Sequence, residues 1–236
     1  MSFKDIFNID AEVKESAHAR VNLIGEHTDY TGGYVMPTLL SFKNTIEISK
    51  NNSNEFTVYS QHFKEKKTFN DFKKSTNNEW VDYIKGCLHI FFDENKISSR
   101  FLNIFISSDI PLERGISSSS ALCVATLKAL NTFFETKIKD PEIAKLAKKV
   151  EFNYIGVSGG IMDQMVSSIG IHGKAFFMNC KNLEYELINF PENWKFCLID
   201  SEVQRNLRDS SYNERFAQLQ EAEKKLGVEY LGGVKI

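Results

Sequence analysis

The strongest constraint on this chain is a short segment near its beginning, residues 20–33, which reads RVNLIGEHTDYTGG. Val21, Leu23 and Ile24 have the apolar character of the end of a buried strand. Gly25 then releases the backbone into an irregular segment that a pair of glycines closes. Charged side chains at this density belong either to a solvated surface loop or to a site where rigidly held carboxylate and imidazole groups converge on a polar ligand such as a sugar.

The composition is that of a soluble globular protein. The chain has 236 residues, of which 42% are hydrophobic and 25% are charged, so it can form one large domain or two small ones around a substantial core. Its net charge of −2 argues against a nucleic-acid or anionic-membrane partner. No apolar run is long enough for a secretory signal or a membrane span, so we expect a cytoplasmic protein.

The cysteines carry little functional information. The chain has four, Cys87, Cys123, Cys180 and Cys197, and they are scattered without a paired motif. Closely spaced cysteine pairs are what hold zinc or build a disulfide framework, and the chain has none. We expect all four to be small apolar core residues in a reducing compartment.

Strand and helix patterns alternate along the chain in a mixed α+β order, so a doubly wound parallel sheet fits poorly. Strands are predicted at 45–49 and 55–63, joined as a hairpin, at 101–107, at 175–180 and 185–190, joined as a second hairpin, and at 194–199. Helices are predicted from Trp80, from the serine run 117–120, from Asp140 as a cap, over 161–169, and from Tyr212 to Leu226. Residues 1–17 are expected to be helical or irregular, and 64–78 an exposed loop or hairpin.

A serine-rich loop at 109–120 forms the second polar constellation. Gly115 and the consecutive serines 117–120 lie between a predicted strand and a predicted helix, where free backbone N–H groups and the helix dipole favour a phosphate. Serine hydroxyls add donors or a magnesium ligand. The alternative is a helix cap with a flexible loop and no ligand. The Gly-Lys-Ser/Thr sequence of a Walker-type loop is absent, so a phosphate loop here is of another kind.

A third constellation lies at 156–164, where a double-glycine turn precedes Asp163 in the first turn of a predicted helix. The positive end of the helix dipole stabilises a carboxylate there as an anion. Such an aspartate has either a purely structural value or a place in the chemistry. By its pattern alone Glu151, further upstream, is an exposed helical residue.

Together these segments resemble the galactokinases within the GHMP family of small-molecule kinases. The resemblance is carried by RVNLIGEHTDY at 20–30, by PxxxGISSS followed by ALxVAT at 111–126, and by GIMDQ at 160–164. The chain departs from the usual pattern at His18-Ala19, which replace Pro-Gly, at Glu113-Arg114, which replace small residues, at Ile116, which replaces Leu, and at Gly159, which replaces Cys.

The resemblance implies a role for each matching residue. Asp163 would be the catalytic base, with Arg20 beside it. The implied sugar ligands are Glu26, His27, Asp29, Gly160 and Tyr212. The implied nucleotide contacts are Gly115, Ser117, Ser118, Ser119 and Trp80. Ser119 and Glu151 would hold Mg²⁺.

The implied fold is a GHMP-kinase-like, two-domain α+β fold. Residues 1–180 would form the N-terminal domain, a mixed sheet with helices that binds ATP and sugar, and 181–236 an incomplete α+β C-terminal domain. The implied reaction is transfer of the ATP γ-phosphoryl group to the anomeric hydroxyl of galactose, giving galactose 1-phosphate. The choice between galactose and close analogues, and the oligomeric state, stay open.

Two further hypotheses compete with a working kinase. One is a non-catalytic regulator that binds galactose and ATP, and the other is an inactive fragment of a galactokinase. Galactokinases are considerably longer than this chain, so we expect the 236 residues by themselves to be a poor kinase or none.

Overall fold

A computed structural model of the chain describes residues 1–76, 79–111, 114–201 and 210–234. The predicted α+β class is confirmed, because helices pack on a sheet of mixed strand direction. The strands are β1 Val13–Asn22, β2 Tyr34–Val35, β3 Pro37–Lys50, β4 Phe56–Ser60, β5 Glu65–Phe69, β6 Leu102–Ser108, β7 Lys174–Asn179 and β8 Tyr185–Asn189. The helices are α1 Phe3–Phe7, α2 Val81–Asn95, α3 Ser118–Phe133, α4 Asp140–Lys149, α5 Met162–Ile169 and α6 Ser210–Leu226, with a π-helical turn at Val150–Ile155 and a 3₁₀ turn at Leu231–Gly233.

The long strand β3 organises the eight-stranded sheet. It pairs antiparallel with β1 along most of its length, with β6 over its second half and with β7 near its beginning. Strand β4 runs parallel to β6 and antiparallel to β5. The predicted hairpin between 45–49 and 55–63 is therefore wrong, because β6 lies between β3 and β4. The alternation of side chains identifies a strand but not its neighbour in the sheet.

The structure corrects three further predictions. Residues 1–17 contain the short helix α1 and then the beginning of β1, rather than helical or irregular structure alone. Residues 194–199 do not form a strand, and their side chains are exposed, up to 87% for Ile199. Strand β1 ends at Asn22, and Ile24, expected to be buried, is 66% exposed.

Most of the remaining predicted elements, and three of the four cysteines, agree with the structure. The hairpin of β7 and β8 is confirmed, as is the last helix, which ends before Gly227. Cys87, Cys123 and Cys180 are buried free thiols, whereas Cys197 is exposed and is not a core residue. Helix α4 begins at Asp140 itself, and Lys139 occupies the cap position. No helix in the described part of the chain is long and apolar enough to span a membrane.

The main core lies between the sheet and helices α2 and α3. Ile104 on β6 pairs with Ile48 on β3 and with Val58 on β4, so these three buried side chains form a row across the sheet. Leu88 of α2 and Leu127 of α3 belong to the same cluster and are fully buried. This row holds β3, and with it the neighbouring strand β1, in a fixed position relative to α3.

Helix α4 leads towards the polar segment at 156–164. The chain passes from α4 directly into the π-helical turn Val150–Ile155, which ends at Gly156 with a φ of +86°. A π turn widens the helix and rotates the following side chains, and such turns occur frequently at functional sites. Here the turn places Glu151 in a buried position below the beginning of α3.

Replacing Ile104 with alanine should destabilise the fold by about 2–5 kcal/mol, because the row across the sheet loses its central side chain and leaves a cavity. The matched control is Ile171→Ala, where the side chain is 47% exposed and the change should stay within about 0.5 kcal/mol. Chemical denaturation of both variants measures the difference. Equal destabilisation by the two exchanges would contradict this assignment of the core.

Candidate active site

A cavity of about 620 Å³ opens where the three polar segments meet. Its walls come from the end of β1 and the loop that follows it, from the serine loop at the beginning of α3, and from the glycine turn before α5. Most of the sequence-predicted site residues line it, namely Arg20, Glu26, His27, Asp29, Gly115, Ser117, Ser118, Ser119, Glu151, Gly160 and Asp163. Segments far apart in the sequence therefore share one concave site.

Arg20 and Asp163 form the ion pair at the centre of this site. The guanidinium Nε donates to Oδ1 at 2.7 Å and Nη2 donates to Oδ2 at 2.7 Å, and the two side chains are 12% and 25% exposed. The Nη1 group donates to the Gly115 carbonyl at 2.9 Å, and the Ser117 hydroxyl donates to Asp163. A bidentate pair of this kind fixes the direction of the carboxylate as well as its position. Arg20 thus ties the serine loop to the first turn of α5.

Backbone conformation shapes the serine loop. Gly115 has a φ of +70° and Ser117 a φ of +63°, so both lie in the left-handed region, which is unusual for serine. The Asn44 side chain donates to the Ser118 carbonyl at 3.0 Å and holds the loop against β3. The loop curls over the N-terminus of α3, where unpaired N–H groups and the helix dipole favour an anion.

Glu151 lies beneath this loop as a buried carboxylate. The Ser119 hydroxyl donates to it at 2.7 Å and the Ser120 hydroxyl at 2.8 Å, and the Gln164 amide donates as well. Burial raises the pKa of Glu151, and these three hydrogen bonds lower it in part. The sequence left open whether this residue is exposed on its helix. The structure shows that it is buried and bonded to Ser119.

The oxygens around Glu151 suit a hard divalent cation. A carboxylate and a hydroxyl are ligands that Mg²⁺ accepts, with nucleotide phosphates and water completing its shell. The Oε1 atom of Gln164 is buried beside them and has no hydrogen-bond partner in the described structure, so it offers a further acceptor for a metal-bound water. The described residues contain no cluster of three or more His, Cys, Asp or Glu side chains that could hold a metal ion. Such a site would therefore depend on the nucleotide for the rest of its ligands.

Asp29 faces the same cavity from the first polar segment. Its Oδ1 atom is buried without a hydrogen-bond partner in the described structure, and burial, together with the nearby Asp163 carboxylate, raises the pKa of Asp29 to about 7. Lys148 and Arg20 lower that pKa in part. The chain of Gly160 passes so close that a Cβ there would lie 2.0 Å from Oδ2 of Asp29. Position 160 therefore requires glycine.

The remaining predicted sugar ligands are more exposed. Glu26 and His27 line the rim of the cavity, and the His27 Nδ1 atom makes a short hydrogen bond with the Tyr30 hydroxyl. Helix α6 approaches this rim, because its Asn213 accepts a hydrogen bond from the Ser158 N–H at 3.3 Å. Tyr212 precedes Asn213 on that helix, but its side chain lies outside the described part of the structure.

Trp80 does not line the main cavity. It borders a smaller cavity of about 60 Å³ on the far side of Ser118, where its ring stacks on Phe63 with centroids 5.8 Å apart. The indole Nε1 donates to Glu65 at 2.8 Å. Ser118 lines both cavities, so the serine loop separates them.

Several residues that line the cavity have no individual role implied by the sequence. Lys148, Ser120 and Gln164 all line the cavity, and so do Arg114 and Arg215. Lys148 could have been found, since it lies one helical turn before Glu151. Arg114, an unusual residue in the loop, pairs with Asp200 at 2.9 Å, while Glu113 lies outside the described residues.

The chain is similar in sequence to known small-molecule kinases. Residues 82–170 match the family model described as GHMP kinases N terminal domain, and residues 1–50 match the galactokinase galactose-binding signature. The galactokinase of Pyrococcus furiosus is 37% identical over 220 residues, covering 93% of this chain and 61% of the relative. That of Fusobacterium nucleatum is 33% identical, covering 99% and 63%. The chain therefore contains a segment that matches the N-terminal domain of the GHMP kinases, and nearly its whole length is similar to galactokinases.

Solved structures extend the comparison to the fold. Lactococcus lactis galactokinase complexed with galactose matches with a TM-score of 0.86 and 30% identity, covering 99% of this chain and 63% of that one. Methanococcus jannaschii mevalonate kinase, at 23% identity and a TM-score of 0.64, shares the fold. The chain spans about three fifths of the length of the curated galactokinases that it matches.

Replacing Asp29 with asparagine should change how stability depends on pH. The folded-state pKa of about 7 lies above the ordinary value of 3.8, so the folded protein holds a proton that the unfolded chain releases, and the wild type loses stability as pH rises from about 4 to 7. An asparagine side chain at this position carries no such proton. Relative to wild type, the variant should gain up to about 4 kcal/mol of unfolding free energy over this range.

Denaturant titrations at several pH values measure this difference. The exposed exchange Asp93→Asn is the control for removing a carboxylate from the surface. Parallel stability curves for wild type and Asp29→Asn between pH 4 and 8 would show that the Asp29 carboxyl is not protonated in the folded protein at neutral pH.

Proposed function

We propose that this protein binds galactose and ATP in the 620 Å³ cavity and transfers the γ-phosphoryl group to the anomeric hydroxyl of galactose. The observation that carries the proposal is the bidentate pair of Arg20 and Asp163, which lies where the serine loop and the first polar segment meet. The similarity to galactokinases, and the galactose complex of the Lactococcus lactis enzyme, support the choice of sugar.

In this mechanism Asp163 accepts the proton of the sugar hydroxyl as that oxygen attacks phosphorus. Its carboxylate is held in a fixed direction by two hydrogen bonds from Arg20, which removes the need to reorient it during the reaction. The same guanidinium stabilises negative charge that spreads over the transferring phosphoryl group. Ser117 donates to Asp163 and connects the base with the phosphate loop.

The nucleotide phosphates would lie on the serine loop. Gly115, Ser117, Ser118 and Ser119 supply backbone N–H groups and hydroxyls at the beginning of α3. Ser119 and Glu151 would hold Mg²⁺, which neutralises the charge of the phosphates when it is bound. Trp80, at the smaller cavity beyond Ser118, would lie on the adenine side.

The sugar would be recognised on the opposite wall. Glu26, His27 and Asp29 offer hydrogen-bond acceptors and an imidazole on one short segment, and Gly160 offers a backbone group close to Asp29. Tyr212 of α6 would add a contact from the C-terminal part of the chain. Several short, polar side chains on a rigid segment are suited to discriminating the hydroxyls of a sugar.

We also propose how the chain is divided into domains and in which cellular compartment the protein lies. Residues 1–180 form the ATP- and sugar-binding N-terminal domain. Residues 181–236 belong to a C-terminal domain whose first strand, β8, extends the sheet edge at β7. A reducing, cytoplasmic location suits the four free cysteines.

In a chain extended to the full length of the galactokinases, replacing Asp163 with asparagine should lower galactose-dependent ADP formation by about 10²–10⁴-fold, because the positioned base is lost while the shape of the site is kept. Galactose affinity should change much less. The surface exchange Asp93→Asn is the matched control. A variant that keeps more than about a tenth of the wild-type turnover would remove Asp163 from this role. Wild-type galactose binding without any turnover would instead indicate a non-catalytic regulator.

Galactose should bind much more tightly than glucose. The two sugars differ in the orientation of one hydroxyl, which the polar side chains lining the cavity can distinguish. Inverting that hydroxyl leaves a buried polar group unpaired, which can reduce binding by up to ~10⁴–10⁵-fold. Calorimetry with both sugars at the same pH measures the ratio. Equal affinities would mean that the segment carrying Glu26, His27 and Asp29 does not read hydroxyls.

A further inference from the structure

Lys148 is a half-buried cation at the back of the cavity to which the proposed mechanism assigns no role. It lies near the end of α4, one turn before Glu151, and its ammonium group donates a short hydrogen bond to the Gly159 carbonyl. Burial lowers the pKa of Lys148, whereas the carboxylates of Asp29 and Glu151 raise it. The side chain thus reaches from the helix to the glycine turn and faces the first polar segment.

The contact with Gly159 also orients the next residue. In a trans peptide the carbonyl and the following N–H point in opposite directions, so anchoring the Gly159 carbonyl on Lys148 turns the Gly160 N–H away from it. Gly160 in turn packs directly against the Asp29 carboxyl group. Lys148, the glycine turn and Asp29 therefore form one continuous unit.

Lys148 is the cation of the cavity that can stabilise the Asp29 carboxylate without giving up an ion pair. Four carboxylates and four Lys or Arg side chains from the described residues line the cavity. Arg20 is engaged by Asp163 and Arg114 pairs with Asp200. Arg215 donates to the neutral Gln218 side chain, but the side-chain cations that lower the pKa of Asp29 are Lys148 and Arg20. Lys148 is bound to a neutral carbonyl, so its charge remains uncompensated by a direct ion pair in the described structure.

Groups from several parts of the fold influence the pKa of Asp29. Asp163 on α5 raises the pKa of Asp29, while Lys148 on α4, Arg20 on β1 and the backbone N–H of Tyr30 lower it. The Cys180 thiol after β7 also faces this group, and burial raises the pKa of Cys180 to about 12, so the thiol stays neutral. Lys148 is the cation in this set that is not already bonded to a carboxylate.

We propose that Lys148 is a positioning residue of the sugar site, which holds the Gly159–Gly160 peptide and supplies the positive charge that keeps Asp29 ionised enough to accept hydrogen bonds from sugar hydroxyls. The inference rests on the proposed binding of galactose. It predicts that galactose affinity increases with pH through neutrality and that the midpoint of this increase is set by the charge of Lys148.

Three exchanges separate the charge of Lys148 from its hydrogen bond. Lys148→Arg keeps both, Lys148→Gln keeps a donor without the charge, and Lys148→Met removes both. Lys145→Met on the same helix is the matched control, because Lys145 is 45% exposed and pairs with Glu142 away from the cavity. Thermal unfolding shows which variants fold, and any one folded neutral variant is sufficient for the test.

The first measurement needs no sugar. The Asp29 carboxyl carbon is followed by ¹³C NMR between pH 4 and 9 in each variant, and Asp29→Asn identifies its signal. The titration midpoint should rise in Lys148→Gln and Lys148→Met and stay close to wild type in Lys148→Arg and Lys145→Met. An unchanged midpoint in a folded neutral variant would overturn the proposal, whatever the protein binds.

The second measurement is calorimetry with galactose over the same pH range. A rise of about one pKa unit reduces the ionised fraction of Asp29 at pH 7 about fivefold, so a neutral variant should bind galactose about fivefold more weakly at pH 7 and recover at pH 9. A pH-independent loss of affinity would mean that Lys148 acts only through structure. Absence of galactose binding by the wild type at pH 9 would contradict the proposed function, while the NMR midpoints would still decide the electrostatic role of Lys148.

Discussion

The bidentate pair between Arg20 and Asp163 is the contact on which the geometry of the site depends. It joins the end of β1 to the first turn of α5 across 143 positions of the chain, and the same guanidinium reaches the Gly115 carbonyl in the serine loop. A planar guanidinium fixes both distance and direction in a way that a lysine could not. The pair is feasible because β3 holds β1 in the sheet while α3 and α5 pack against β1.

Around this pair the site concentrates negative charge, which is electrostatically unfavourable in a partly buried cavity. Asp29, Glu151 and Asp163 lie close together, and burial raises the pKa of both Asp29 and Glu151. Glu151 is compensated by hydroxyl and amide donors, whereas Asp29 depends mainly on nearby cations. Buried charge without a direct partner is typical of binding sites, because a ligand can supply the missing partner.

Close backbone approach is the second requirement of the site. Gly160 is in contact with Asp29, and Ser117 adopts a left-handed conformation at the entrance to α3. The π-helical turn after α4 brings Glu151 beneath the serines. These features are local departures from regular structure, but each brings a polar group to the cavity. Irregular backbone therefore coincides with the candidate site, on a scaffold whose sheet and helices pack in the ordinary way.

The sequence by itself determined the α+β class, most helices, and the polar segments around Arg20, Ser117 and Asp163, because periodicity, glycines and dense charge are local properties. It could not determine strand neighbours, so β4 was paired with β3 although β6 lies between them. The alternation of apolar residues at 194–199 predicted a strand, yet a strand needs a partner and these side chains are exposed. Only the tertiary structure decided that Glu151 is buried and that Lys148 faces Asp29, because burial and electrostatic coupling arise between segments that the sequence keeps apart.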